Sequence, residues 1–275
     1  MTKQKYGWFR QNPDARDWRY EDVAPAFKAQ FIPSTVDLSD LILKVKDQGA
    51  LGSCTSQGTT SAFEALQIKR NGRCTYGSRL FNYHWGRVLC KCYPGDNGAD
   101  IRSAVKATGD KYYGLAPEVD MPYDITKFDA KIPPKATIDA KKFESTNYYL
   151  VDSMKSGLST LANLKKALAV TGLPVVFGTP VYEQFESVGH TGIVHYPSMD
   201  EDPIGGHCMM AYGYMKNYVL VLNSWGENNG WGMPFGNGRF KGGACKIPNA
   251  YWTTKLAVDN WCIAGESAIK GKTTA

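Results

Sequence analysis

The sequence predicts an α+β fold, a helical lobe followed by a mainly antiparallel β lobe. Apolar residues recur at helical spacing through the first half, whereas the second half is built of short apolar or β-branched runs cut by turn residues. At 275 residues, 43% of them hydrophobic and 12% aromatic, the chain can bury a large core, as one domain or as two lobes sharing a cleft.

Taken in order, the N-terminal stretch "MTKQKYGWFRQNPDARDWRY" (1–20) has basic residues but no apolar block behind them, so no secretory signal is expected in the chain as given. After Cys54, the positions Thr59, Ala62, Phe63 and Leu66 follow the i, i+3, i+4, i+7 rule, and "KRNG" (69–72) supplies last-turn cations and an Asn-Gly stop. One amphipathic helix therefore starts near Cys54. "RLFNYHWGRVL" (79–89) reads as a second and "GADIRSAVKATGD" (98–110) as a third, while "PKATIDAKKFES" (134–145) is polar and suits a linker or short helix. "LSTLANLKKALAVTG" (158–172) is a further helix ended by Gly172-Leu173-Pro174. Strands follow at 174–181, 207–215 and 218–225, the last two joined by Lys216-Asn217 as in a hairpin.

Composition excludes several functions. The net charge of +6 is scattered, with no basic run, so no nucleic-acid partner is expected. The longest apolar stretch, "LAVTGLPVVFG" (168–178), falls short of the roughly 20 residues that span a bilayer, so no membrane partner is expected either. Seven cysteines are too few for a disulfide scaffold and read as mostly reduced. Cys74, Cys90, Cys92 and His84 fit no standard zinc spacing, and "DEDP" (200–203) reads as a solvated hairpin tip, so no metal is expected. The glycine-rich "GENNGWG" and "GNGRFKGG" lack the lysine and helix of a phosphate loop, and no cofactor is expected.

The chemistry converges on Cys54. A cysteine at a helix N-terminus faces unsatisfied N–H groups and the helix dipole, which favour the thiolate. Such a nucleophile needs an imidazole to take its proton and a group to orient that imidazole. Of the four histidines, His84 lies in a predicted helix, and His190 and His195 lie in a turn-rich stretch with no acid or amide attached. His207 follows Gly205-Gly206 and opens a strand, and Asn223 ends the next strand 16 residues on. Hairpin pairing brings the two together, where the Asn223 carbonyl can fix the imidazole tautomer and Trp225 can shield the bond from water.

The blocks "VKDQGALGSC" (45–54), "GGHCMMAYGY" (205–214) and "LNSWGENNGWGMPFGNGRF" (222–240) resemble the three signature blocks of papain-like cysteine peptidases, in the family's order of Gln, Cys, His, Asn. The likeness covers about residues 31–252. It is similar to the microbial and viral branch that lacks a large pro-segment, with "GSRLFNYHWGR", "DNGADIRSAVKATG", "LAPEVDMPYD" and "GLPVVFGTPVYEQF" in the expected order. His207 and Asn223 follow Cys54 by 153 and 169 residues, slightly beyond the family's roughly 130–150, a difference loops absorb.

The resemblance implies a papain-like two-lobe fold, with a helical lobe over about 45–145 and an antiparallel β-barrel-like lobe over about 146–252 joined by 31–44. The active site lies in the cleft between them. It implies Cys54 as nucleophile, His207 as general base and acid, Asn223 as orienting residue, and Gln48 as oxyanion donor beside the Cys54 N–H. Trp225 supports the site, and Gly98, Ala99 and Gly206 line the substrate groove. The activity implied is peptide-bond hydrolysis through a thioester, by a monomer acting on a peptide or protein in the cytoplasm, or otherwise virion-associated or released without a signal. Other Cys-dependent acyl transfers, or a non-catalytic binding or structural module such as a virion component, are the alternatives.

Leu51 stands where relatives carry a disulfide cysteine, in keeping with a reducing compartment. Thr55 and "TSQG" replace the usual residues after the nucleophile, so substrate preference does not carry over. Residues 1–30, with Trp8, Phe9 and Trp18, read as a strap across the two lobes or as a short plug in the cleft, and 253–275 as a C-terminal extension.

Overall fold

The structure, a computed structural model, describes residues 5–23, 31–145 and 147–265. Residues 24–30 of the N-terminal segment and 266–275 of the C-terminal extension lie outside the described residues.

A short α1 (Tyr20–Val23) and β1 (Val36–Asp37) precede the central helix α2 (Cys54–Asn71). Its end is the one read from sequence: Gly72 adopts the left-handed conformation and returns its N–H to the Ile68 carbonyl. Its burial differs from the expected stripe, because every residue from Cys54 to Leu66 is buried. The helix lies in the middle of the molecule, between α3 (Arg79–Leu89) and α4 (Ile101–Ala107) on one side and the sheet on the other. Ser78 caps α3 by accepting the Phe81 N–H, and Asp100 caps α4 by accepting the Ser103 N–H. That cap explains why the third helix starts at Ile101 and leaves Gly98 and Ala99 outside it. The polar stretch after 134 contains α5 (Pro134–Ala140), begun by Pro134.

The β lobe opens with β2 (Asn147–Leu150) and α6 (Gly157–Lys166), which continues as a π turn, Ala167–Thr171, to left-handed Gly172. Then come β3 (Val175–Val181), α7 (Glu183–Glu186), β4 (Gly205–Tyr214), β5 (Tyr218–Leu222), β6 (Met233–Phe235), β7 (Phe240–Pro248), α8 (Ala250–Thr253) and β8 (Val258–Ala264). The strands form one antiparallel sheet in the order β2-β8-β3-β4-β5-β7-β6, with β1 also on β4. The sheet is open, so the barrel-like lobe expected from sequence is a curved sheet without closure. Residues 258–264, read as part of an extension, form a fully buried strand between β2 and β3.

A large core fills the space between α2, α6 and the sheet, and a smaller one, around Leu51, Leu80, Phe81 and Met121, holds the helical lobe. The reading of the cysteines as reduced holds for five of them and not for Cys90 and Cys92, which are joined to each other. Among the described residues no helix is long and apolar enough to cross a membrane.

Candidate active site

Sheet register brings His207 and Asn223 together. Met210 pairs with Leu222 across β4 and β5, so the next residue of the chain, Asn223, stands opposite Met209, and His207 is the same-face neighbour of Met209 two residues along β4. The His207 Nε2 and Asn223 Oδ1 atoms lie 2.7 Å apart, buried. Asn223 Oδ1 also accepts the Ser224 N–H at 2.8 Å, which fixes that atom as the oxygen. His207 therefore donates through Nε2 and keeps its lone pair on Nδ1, which is buried without a hydrogen-bond partner. Burial holds the imidazole down at about 4, against the opposing effect of Asn223, so the ring is neutral.

Trp225 covers this pair as expected, its ring centroid 5.3 Å from that of His207. Two aromatics that sequence reasoning passed over complete the sleeve. Phe185 lies 6.0 Å from His207 and 5.2 Å from Trp225, and Trp231 packs on both Phe185 and Trp225 while donating its indole N–H to the Phe185 carbonyl at 2.8 Å.

Cys54 is the first residue of α2, and β4 packs along that helix. The expected low thiol pKa is not found: Cys54 has no exposed surface, and burial pushes the thiol up to about 11. The N–H groups of Cys208, Gly7, Thr55 and Cys54 itself pull in the other direction without reversing it. Gln48 is held by Ser224, whose Oγ donates to Gln48 Oε1 at 2.7 Å, leaving Nε2 to donate to the Leu51 carbonyl at 3.0 Å and the Lys5 carbonyl at 2.9 Å. Ser224 is a positioning residue that the sequence reading missed, although it lies within the "NSWG" block.

The N-terminal segment explains the sealed thiol. Residues 5–11 run along the groove between the lobes. The Gly7 carbonyl accepts the Ala99 N–H at 2.9 Å, Trp8 donates its N–H to the Gly206 carbonyl at 3.1 Å, and Trp8 bridges Ala99 in parallel fashion. All three residues expected to line the groove thus touch this strap. Gly98 has φ of 74°, and a Cβ there would stand 2.0 Å from the Gly7 carbonyl oxygen; a Cβ on Gly206 would stand 2.2 Å from the Trp8 oxygen. Gly7 fits equally closely, since a Cβ on it would lie 1.8 Å from the Gly52 oxygen.

Side chains tie the strap to both walls. Lys5 pairs with Asp96 at 2.7 Å, and Asp96 also accepts the Gly52 N–H and the Tyr83 hydroxyl. Tyr6 donates its hydroxyl to Glu186 and lies edge-on to His207. Of the remaining histidines, His84 packs between Trp85 and Tyr93 and His195 is exposed, both away from this groove; the side chain of His190 lies outside the described residues.

Comparison with known proteins agrees with this geometry. Residues 32–253 match the model of the papain family of cysteine proteases. An uncharacterized peptidase C1-like protein of Acanthamoeba polyphaga mimivirus is 34% identical over 94% of this chain and 86% of its own. A cathepsin L-like peptidase of Aedes aegypti is 28% identical over 73% of this chain and 57% of its own. The crystal structure of xylellain, a cysteine protease from Xylella fastidiosa, superposes with a TM-score of 0.77 at 28% identity, covering 96% of this chain and 97% of that one. The chain belongs to the papain family of cysteine proteases.

Proposed function

We propose that this peptidase cleaves peptide bonds through a thioester on Cys54, using His207, Asn223 and Gln48, and that the strap must leave the groove before a substrate enters. The observation that carries this reading is the peptide already lying there: a peptide carbonyl, that of Lys5, sits on the Gln48 amide, and the carbonyl and N–H of the next residues are paired with Ala99 and Gly206. A groove that binds one extended backbone in this way has the donors and acceptors to bind another.

With the groove open, His207 Nδ1 takes the thiol proton and the Cys54 thiolate attacks the scissile carbonyl carbon. The carbonyl oxygen becomes an oxyanion held by Gln48 Nε2 and the Cys54 N–H. One such donor is typically worth about 3 kcal/mol. His207 returns the proton to the leaving amine, the C–N bond breaks and the thioester remains. Water, deprotonated by His207, then attacks the thioester, and the acid and the free thiol are released. Asn223 holds the ring with Nδ1 toward the reaction, and Trp225, Phe185 and Trp231 keep water from the Asn223 bond.

The test is cleavage of a peptide library by the opened protein. Cys54→Ser should abolish cleavage with an unchanged thermal transition, and Gln48→Ala should lower kcat by roughly 100- to 1000-fold. Cleavage at the wild-type rate by Cys54→Ser would remove the thiol from the mechanism.

A further inference from the structure

Two polar groups beside the site are left over once its hydrogen bonds are assigned, and their residues line one cavity. Asn223 Oδ1 serves His207 and Ser224, whereas Asn223 Nδ2 is buried with no partner among the described residues. Gln57 lies on the first turn of α2, three residues after Cys54, in the "TSQG" stretch (55–58) that departs from the usual residues. A chain of donors fixes its orientation. Tyr123 gives its hydroxyl hydrogen to the Gln48 carbonyl at 2.8 Å, so Ser53 Oγ donates to Tyr123 Oη at 2.6 Å and accepts from Gln57 Nε2 at 3.0 Å. The other end of the amide, Oε1, is an acceptor with no partner, in a residue only 1% exposed.

Between α2 and the β4–β5 pair lies a cavity of about 10 Å³, room for one water molecule and no more. Gln57, Gly58 and Ser61 of α2, Lys46 and Asn223 all line it. A buried donor and a buried acceptor each cost free energy when unpaired, and one bridging water relieves both. Lys46 gives two of its three N–H groups to Ser61 Oγ at 3.0 Å and Glu64 Oε2 at 2.8 Å, and its positive charge on the same wall excludes a metal ion.

We propose that this cavity binds one internal water, which accepts from Asn223 Nδ2 and donates to Gln57 Oε1, and that Gln57 is thereby a positioning residue for the reaction. The water ties the amide that orients His207 to the helix that carries Cys54. It also holds that amide the right way round. Turned over, Asn223 would set its NH2 group against the Ser224 N–H and against His207 Nε2, leaving the ring's hydrogen on Nδ1, where the thiol proton has to go. The proposal rests on the peptidase reading of the site, and its first readout needs no turnover.

That readout is a crystal structure of the full-length chain in which ordered waters are visible. A water within about 2.7–3.2 Å of both Gln57 Oε1 and Asn223 Nδ2 is expected. No density in the cavity, or density bonded to only one of the two atoms, overturns the proposal.

Kinetics follow on the protein opened by Gly7→Ala. Gln57→Met keeps the length of the side chain and removes the acceptor. Gly58→Ala leaves Gln57 alone and puts a methyl group on the cavity wall, its Cβ 3.2 Å from Val176 Cγ1, 3.4 Å from Cys208 Sγ and 3.6 Å from the Met209 oxygen. Each should lower kcat about 5- to 10-fold with KM within about twofold, and by less than about twofold when added to Asn223→Ala, because the water acts through that residue. Alanine for glycine inside a helix favours the fold, so a lower kcat in Gly58→Ala without a lower thermal midpoint separates positioning from loss of structure. An equal loss in the Asn223→Ala background overturns the role. If Gln57→Met does not fold, Gly58→Ala decides it alone. The water present, with no cleavage by the opened protein, supports the water site and sinks the peptidase; cleavage by both variants at the opened protein's own rate sinks the positioning role and spares the peptidase.

Discussion

Replacing Gly7 by alanine should drive the strap out of the groove and uncover Cys54. The new Cβ would lie 1.8 Å from the Gly52 oxygen, 2.4 Å from its carbonyl carbon and 2.7 Å from its Cα, all of them backbone atoms next to the start of α2. Neither side can yield by turning a side chain, so Gly7 has to rise by more than about 1 Å. That movement breaks the bonds from Ala99 to Gly7 and from Trp8 to Gly206 and lifts Trp8 from the groove.

The balance makes this decisive. Burying Trp8 contributes about 5 kcal/mol at ~25 cal/mol per Å² over ~200 Å². The bonds from Gln48, Ala99, Trp8 and Gln11 add about 1 kcal/mol each. Ordering residues 5–11 costs about 10 kcal/mol at ~1.5 kcal/mol per residue. The ties from Lys5 to Asp96 and from the Tyr6 hydroxyl to Glu186 add about 3–4 kcal/mol together, so the closed strap is held by a margin of only a few kcal/mol. Losing ~3 kcal/mol raises the open fraction about 100-fold. The assay is iodoacetamide labelling of Cys54 beside hydrolysis of a peptide mixture, and both should rise by that factor. Labelling within twofold of wild type, with the variant folded, would refute the strap as the barrier; fast labelling without hydrolysis would refute the proposed chemistry.

Asn223→Ala should lower kcat by roughly 10- to 100-fold, the worth of one buried hydrogen bond to the imidazole, with little change in KM, as read by steady-state kinetics on the opened protein. Asp259→Asn tests linkage. Burial on β8 raises the Asp259 carboxyl from 3.8 to about 7, so its contribution to stability is complete below pH 3.8 and is lost as pH rises through 7. The destabilisation caused by Asp259→Asn should therefore grow from pH 8 to pH 4, by about 4 kcal/mol at most, in urea unfolding; a pH-independent difference would show that the carboxyl is not perturbed. Glu64→Ala should cost about 3–5 kcal/mol in the same measurement, since it strips the carboxylate from Lys46, buried with it at 2.8 Å beneath α2. Lys46→Met with Glu64→Leu should cost less than the single change.

How much of this was legible in the sequence depends on whether the cause is local. The end of α2 followed from Asn71-Gly72, because a stop acts within a turn, and the Ser78 cap that sets the start of α3, though equally local, went unread. The nearness of His207 and Asn223 was legible because a two-residue hairpin pairs their strands, but their shared face was not: the register at the turn would set Asn223 opposite Met210, and a bulge between Ala211 and Gly213 moves it opposite Met209. Strand β8 was not: "VDNWCIA" reads as a strand only once β2 and β3 are seen to leave a gap between them for it, and its partners lie far back in the chain. Ser224 and Phe185 escaped for the same reason, each acting on a residue brought near by folding rather than by sequence.

The thiol of Cys54 shows where a correct local argument is outweighed. A helix N-terminus does favour the thiolate, by about 0.3–1 kcal/mol and up to ~2 in partly buried geometry. Burial acts the other way, and the rise from 9.0 to about 11 amounts to about 3 kcal/mol. Burial therefore prevails while the strap is in place, and it also holds His207 at about 4, so that thiol and imidazole are both neutral in the closed chain. Both penalties depend on water being kept out, and residues 5–8 complete that seal. In the proposed mechanism, withdrawing the strap does two things at once. It clears the path of a substrate, and by readmitting water it removes the cost that opposes thiolate and imidazolium, leaving the helix N-terminus to favour the charged pair.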